Sequence, residues 1–102
     1  MKEDFIHYVT SKAGVIGFTR ALARELGEFN INVNCITPGY TKTEIPRGTT
    51  TSQQLTAIIN HQCMKRIGEP QDLLGVMIFL ASDESDFMSG QTVNVDGGDS
   101  LH

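Results

Sequence analysis

The segment Ile31-Asn-Val-Asn-Cys-Ile36 predicts a short strand, and Thr37-Pro38-Gly39 ends it, because proline cannot donate to a ladder and glycine permits a sharp turn. A second strand is predicted at Gln91-Thr-Val-Asn-Val-Asp96, closed by Gly97-Gly98. Roughly 55 residues of mainly helical sequence separate the two strands, and a separation of that length predicts a parallel pair joined by a crossover connection.

Three helices are predicted around this pair of strands. The first spans residues 8–27, with apolar side chains at near-helical spacing and Gly27 as its C-terminal stop. A polar, turn-rich loop over 40–51 precedes the second helix, for which Ser52 is the predicted N-cap. The third helix spans 69–81 and carries a proline in its first turn.

Two parallel strands do not form a stable sheet by themselves, because parallel sheets need both faces covered and further strands beside them. The first helix also arrives with no strand before it, and 102 residues leave room for one domain with a thin core. The element order therefore predicts an α/β fold. We expect residues 1–102 to form the C-terminal part of a doubly wound, Rossmann-like parallel sheet, with two strands and three main helices, incomplete alone.

Composition excludes several classes of function. Apolar residues make up 39% and charged residues 20% of the chain, which is ordinary for a globular protein. The net charge of -4 includes no basic block, so nucleic acid is not an expected partner, and no apolar run approaches the ~20 residues of a membrane span. Cys35 and Cys63 lack metal-ligand spacing, which predicts buried free thiols, no metal site and a cytoplasmic location.

Tyr8 and Lys12 are the residues with the clearest chemical potential. Four positions apart on a helix, they lie about 40° apart around its surface and one turn apart along it. A nearby cation stabilises a phenolate and lowers the pKa of a tyrosine from its ordinary ~10, which suits general acid–base work on an alcohol or carbonyl oxygen. The pattern alone also fits an ordinary surface pair.

Several segments, in order and spacing, resemble the short-chain dehydrogenase/reductase family. The resemblance covers nearly all of the chain and includes the Tyr-x-x-x-Lys segment, the rest of the catalytic helix, the sixth strand with its Pro-Gly turn, and the terminal motifs. These segments are Tyr8-Val-Thr-Ser-Lys12-Ala-Gly, Thr19-Arg-Ala-Leu-Ala-Arg-Glu-Leu26, Asn32-Val-Asn-Cys-Ile-Thr-Pro38-Gly39, Arg66-Ile-Gly-Glu-Pro70, Phe79-Leu-Ala-Ser-Asp83 and Ser89-Gly-Gln-Thr-Val-Asn-Val-Asp-Gly-Gly98.

The resemblance implies an oxidoreductase that transfers hydride between NAD or NADP and a small carbonyl or alcohol substrate. Tyr8 would protonate the carbonyl oxygen, or deprotonate the alcohol in the reverse direction. Lys12 would bind the nicotinamide ribose hydroxyls and assist Tyr8.

The resemblance also implies cofactor contacts after the first strand. Pro38 and Gly39 would shape the wall beside the nicotinamide, and the Thr41 backbone would meet its carboxamide. The Thr43 hydroxyl would contact the carboxamide or the pyrophosphate. Residues 44–64 correspond to the family's variable substrate loop and its helix.

The family's glycine-rich turn, its catalytic serine and the residue that chooses between NAD and NADP have no counterpart in this sequence, in which seven residues precede Tyr8. The isolated chain is therefore expected to bind dinucleotide weakly, because the pyrophosphate lacks a helix N-terminus. Expected partners are a second copy, through the first and third helices, or a missing N-terminal half. The alternatives are a non-catalytic oligomerisation module and a truncated gene product.

Overall fold

A computed structural model describes residues 3–42 and 51–101 and confirms the predicted α/β architecture. Over those residues the chain forms three helices and a two-stranded parallel sheet, with β1 paired to β2. The elements are α1 (Glu3–Leu26), β1 (Cys35–Pro38), α2 (Ser52–His61), α3 (Gln71–Ala81) and β2 (Thr92–Val95), with short 3₁₀ turns at Gly27–Phe29 and Asp83–Ser85.

The residues divide into two compact units, each of which is described by itself. The first unit comprises Met1–Cys35 and Ser82–Val93, and the second comprises Ile36–Ala81 and Asn94–His102. Helix α1 therefore belongs to the first unit, whereas α2 and α3 belong to the second.

Strand β1 begins four residues later than the sequence predicts and continues through Pro38. Before the strand, two asparagine side chains share the pairing with the backbone: the side-chain amide of Asn32 donates to Asp86 O at 3.0 Å, and that of Asn34 donates to Met88 O at 3.1 Å. Backbone hydrogen bonds to the same segment are also present, from the Gly90 N–H to Val33 O at 2.7 Å and from the Cys35 N–H to the carbonyl of residue 91 at 2.9 Å.

The N-terminal end of α1 differs from the prediction, whereas its C-terminal end agrees with it. The helix begins at Glu3, before Tyr8, and it ends at Leu26, immediately before the predicted stop at Gly27. The left-handed residue that reverses the chain is Asn30, with φ of 59°, and its N–H donates to Gly27 O at 3.0 Å. Asparagine tolerates this conformation better than most residues, and Asn30 ends the 3₁₀ turn that follows α1.

The N-cap of α2 is Thr51, and the prediction of Ser52 is wrong by one position. Thr51 and Gln54 form a capping box: the Gln54 N–H donates to Thr51 Oγ1 at 3.1 Å, and the Thr51 N–H donates to Gln54 Oε1 at 2.9 Å. A reciprocal pair satisfies two N–H groups of the first turn, whereas Ser52 lacks a Glu or Gln three residues on.

Apolar side chains remain accessible throughout the part of the chain that the structure describes, where none is fully buried. Large exposed ones lie on α1 (Ile6, Val9, Val15 and Phe18) and on α3 (Leu74, Met77, Ile78 and Phe79). Both cysteines are free as predicted, but Cys35 is only half-buried and Cys63 is exposed. Within residues 3–42 and 51–101, no helix has the length and apolar character needed to cross a bilayer.

Replacing Gly39 by alanine is expected to destabilise the second unit by about 1–3 kcal/mol, the usual cost of overpacking. A Cβ at this position would lie 2.7 Å from Asp96 Cβ and 2.9 Å from Asp96 Cα, so backbone would have to move. Gly14→Ala is the matched control, because nothing lies within 4 Å of its Cβ position and alanine favours a helix interior by about 0.5–1 kcal/mol. Urea unfolding followed by circular dichroism measures the free energy of unfolding of both variants. A Gly39→Ala variant as stable as wild type would contradict the close approach of Gly39 to Asp96.

Candidate active site

Tyr8 and Lys12 lie on one face of α1, in its N-terminal half. The Lys12 Nζ atom is 6.0 Å from the centroid of the Tyr8 ring, which places the ammonium over the aromatic ring in a cation–π arrangement. Tyr8 is 57% exposed, so its hydroxyl is accessible to a ligand. The two side chains pair because residues four positions apart lie one helical turn apart on the same face.

The described residues make no hydrogen bond or ion pair with either group. Over the described ranges, no hydrogen bond to the Tyr8 hydroxyl and no carboxylate within 4.0 Å of the Lys12 ammonium is present. An oxygen-bearing ligand can therefore bind to the phenol and the ammonium without first displacing an internal hydrogen bond or ion pair.

Pro38 and Gly39 belong to the second unit, at the C-terminal end of β1. Pro38 is exposed, and Gly39 continues the pairing with β2 through its N–H, which donates to Val95 O at 3.1 Å. A side chain at this position would collide with Asp96, so the fold itself requires a glycine here.

Thr41 is held by an isolated parallel bridge to Gly68. The Gly68 N–H donates to Tyr40 O at 3.2 Å and the Lys42 N–H donates to Gly68 O at 2.8 Å, so the partners of Gly68 are the two neighbours of Thr41. The N–H and C=O of Thr41 itself therefore point away from Gly68, and its amide has no hydrogen-bond partner in the described residues. Its hydroxyl donates to Gly39 O at 3.2 Å.

A cavity of about 170 Å³ in the second unit adjoins Thr41. Polar and charged side chains share its wall with apolar ones. The lining residues are Tyr40, Thr41, Gln62, Met64, Arg66, Gly68, Asp72, Leu73, Val95, Asp96 and Gly97. Sequence reasoning singled out Thr41 but missed Gln62, since a single glutamine after a helix carries no pattern. Thr43 lies outside the described residues.

An ion pair braces the loop that carries Gly68. Arg66 and Asp72 form a two-pronged contact, with Nη1–Oδ2 of 2.7 Å and Nη2–Oδ1 of 2.8 Å. The Arg66 guanidinium, and secondarily the Glu69 N–H, hold the pKa of the Asp72 carboxyl well below its usual range. The hydrogen bond to Asp72 in turn raises the pKa of Arg66. Asp72 thus holds both the backbone just before α3, through the Glu69 N–H, and the Arg66 side chain.

The end of α2 is tied to the turn after β2. His61 Nδ1 lies 2.6 Å from Asp99 Oδ1 on the surface. The Asp96 carboxylate accepts hydrogen bonds from the N–H groups of Gly98 at 3.0 Å, Asp99 at 3.3 Å and Ser100 at 3.1 Å. The Asp96 side chain therefore organises this turn.

Comparisons of the sequence and of the structure with known proteins point to one family. A family model described as enoyl-(acyl carrier protein) reductase matches residues 2–100. The 2-dehydro-3-deoxy-D-gluconate 5-dehydrogenase of Escherichia coli strain K12 is 45% identical over 92 residues, which cover 89% of this chain and 36% of that protein.

Among solved structures, the 3-oxoacyl-[acyl-carrier protein] reductase from Brucella melitensis ATCC 23457 matches with a TM-score of 0.85 at 36% identity, covering 94% of this chain and 35% of that one. The short chain dehydrogenase from Leptospira borgpetersenii, solved with bound NAD+, matches with a TM-score of 0.83 at 36% identity, covering 92% of this chain and 35% of that one.

The chain spans little more than a third of the length of the curated relatives it matches, between 36% and 38% for those most similar to it. Within that share, the match runs through the segment of Tyr8 and Lys12 and on to the terminal turn. The family model covers nearly the whole chain and the relatives agree with it, so this chain belongs to the short-chain dehydrogenase/reductase family.

Proposed function

We propose that this chain supplies the acid–base part of an oxidoreductase that transfers hydride between NAD or NADP and a carbonyl or alcohol substrate. The observation that carries the proposal is the accessible Tyr8 ring with the Lys12 ammonium 6.0 Å from its centroid. In the reducing direction, the Tyr8 hydroxyl gives its proton to the carbonyl oxygen as the hydride reaches the carbonyl carbon. In the oxidising direction, the phenolate takes the proton from the alcohol.

Lys12 has two roles in this proposal. Its positive charge stabilises the phenolate that Tyr8 becomes after it has given up a proton, because opposite charges at short range favour the ionised form. The three N–H donors of an ammonium also suit the hydroxyls of the nicotinamide ribose. Both roles require that Lys12 has no internal salt bridge, which is the case within the described parts of the chain.

The residues of the second unit fit a nicotinamide by their chemistry. The amide of Thr41 has no partner among residues 3–42 and 51–101 and can donate to a carboxamide oxygen, while Pro38 offers an exposed apolar surface to a ring. We assign Gly39 to the wall beside Pro38 and the Thr43 hydroxyl to the carboxamide or pyrophosphate. When bound, the cofactor supplies or accepts the hydride; the Leptospira borgpetersenii relative was solved with NAD+ and a 4-hydroxyisoleucine dehydrogenase with NADH.

The proposed partners follow from the exposed apolar side chains. Those on α1 and on α3 are suited to contact a second copy of the chain, or an N-terminal portion of the family domain that carries the pyrophosphate site. The same exposure supports a second candidate function, a non-catalytic oligomerisation module. The free thiols favour the cytoplasm as the compartment.

The proposed function is tested by adding the N-terminal portion of the family domain as a separate chain. Oxidation of NADH and NADPH is followed with a 3-oxoacyl thioester, a keto sugar acid and a simple ketone. We expect little turnover by the chain alone and saturable turnover by the mixture, with a cofactor KM between about 1 μM and 1 mM. A stable complex that turns over none of these carbonyls with either cofactor would contradict the proposal.

A further inference from the structure

Gln62 is a buried polar residue to which the proposed function assigns no role. It is only 3% exposed and lies immediately after α2, where its backbone N–H donates to Ile58 O at 3.2 Å. Its side-chain Nε2 donates to Met64 O and to Arg66 O, both at 3.0 Å. One amide group therefore ties the end of the helix to two carbonyls of the following loop.

The turn after β2 holds Gln62 from its other side. Gly97 has a φ of +65°, and a Cβ there would lie 2.9 Å from Gln62 Nε2. The backbone on either side is also paired, because the Met64 N–H donates to Gly97 O at 2.8 Å and the Cys63 N–H donates to Gly98 O at 3.4 Å. The Gln62 amide is thus enclosed by backbone, which leaves it little freedom to adopt another position.

The loop that Gln62 holds is the one that supports Thr41. Arg66, whose carbonyl accepts from Gln62, is fixed by Asp72, and two residues later Gly68 bridges Tyr40 and Lys42. The bridge is tight, since a Cβ at Gly68 would lie 3.1 Å from Tyr40 O. The hydrogen bond from Gln62 to Arg66, the backbone from Arg66 to Gly68 and the two hydrogen bonds of Gly68 therefore connect the Gln62 amide to the residues on both sides of Thr41.

We infer that Gln62 is a positioning residue for the reaction proposed above: acting through the Arg66–Gly68 loop, it sets the direction of the Thr41 amide toward the nicotinamide carboxamide. The inference rests on the proposed function. It assigns to Gln62 an effect on cofactor binding, with little effect on the proton transfer performed by Tyr8.

The test compares Gln62→Glu with Gln53→Glu in the complex of the chain with its N-terminal portion. A glutamate has nearly the shape of glutamine but cannot donate to the Met64 and Arg66 carbonyls. Gln53 is exposed on α2, the helix that Gln62 follows, so its substitution is a control that makes the same change in charge nearby. Gln62→Met, which lacks donors and charge, is the second variant if the glutamate prevents folding.

We expect Gln62→Glu to raise the KM for the dinucleotide and to speed hydrogen exchange of the Lys42 and Gly68 amides, each by roughly tenfold, the equivalent of about one or two lost hydrogen bonds. We expect kcat at saturating cofactor to change less than twofold or so. We expect Gln53→Glu to change neither quantity.

The inference is overturned if Gln62→Glu binds the dinucleotide as well as wild type does. It is also overturned if exchange rises equally at all amides, which would indicate a structural role only. Failure of the proposed function is a different result, because the wild-type complex would then bind neither NADH nor NADPH.

Discussion

Replacing Tyr8 by phenylalanine is expected to lower kcat of the assembled enzyme by about 10²–10⁴-fold, the usual contribution of a positioned acid or base. The substitution removes one hydroxyl from a ring that is 57% exposed and retains the ring beneath the Lys12 ammonium. Because no internal hydrogen bond is lost in the described part of the chain, the fold and the assembly should be unaffected.

The measurement is the rate of carbonyl reduction at saturating cofactor, with circular dichroism and the cofactor Kd measured on the same samples. Thr10→Val is the matched control, because it removes an exposed hydroxyl from the same helix without loss of shape. Undiminished turnover by Tyr8→Phe in an intact complex would favour the oligomerisation module over the enzyme.

Replacing Lys12 by methionine is expected to lower kcat and to raise the cofactor KM, each by roughly 10- to 100-fold, since hydrogen bonds to charged groups are worth about 1.5–3 kcal/mol. Methionine keeps the apolar length of the side chain but removes the charge next to the Tyr8 ring and the donors assigned to the ribose. The two effects on kcat and KM reflect the two proposed roles.

Steady-state kinetics with varied NADH or NADPH measures both constants. Arg20→Met is the control, because it removes one exposed positive charge from α1 at a position outside the proposed site. A normal cofactor KM for Lys12→Met would contradict the proposed binding of the ribose by Lys12. A normal kcat would contradict the proposed assistance of Lys12 to Tyr8.

The sequence was sufficient where local spacing determines geometry. Tyr8 and Lys12 share a helix face because 3.6 residues make a turn, and the three helices follow from periodic apolar residues. The start of β1 was missed because the side chains of Asn32 and Asn34 share the pairing before the strand, and these contacts reach more than 50 residues along the chain.

The pairing around Thr41, which leaves its amide without a partner in the described residues, and the buried position of Gln62 could not be predicted for the same reason. Thr41 depends on pairing with Gly68, and Gln62 is enclosed by the turn at Gly97, which comes from a distant part of the sequence. Sequence patterns report the period of an element but not the long-range partner that fixes a single polar group.

The central claim is that Tyr8 and Lys12 act as one unit, and a double-mutant cycle tests it most directly. Turnover is measured for the assembled wild type, Tyr8→Phe, Lys12→Met and the variant with both changes, at saturating cofactor. If Lys12 acts on proton transfer through the Tyr8 phenolate, the double variant loses about as much as Tyr8→Phe alone. If the two losses in kcat multiply instead, the residues act independently and the account of the site is wrong.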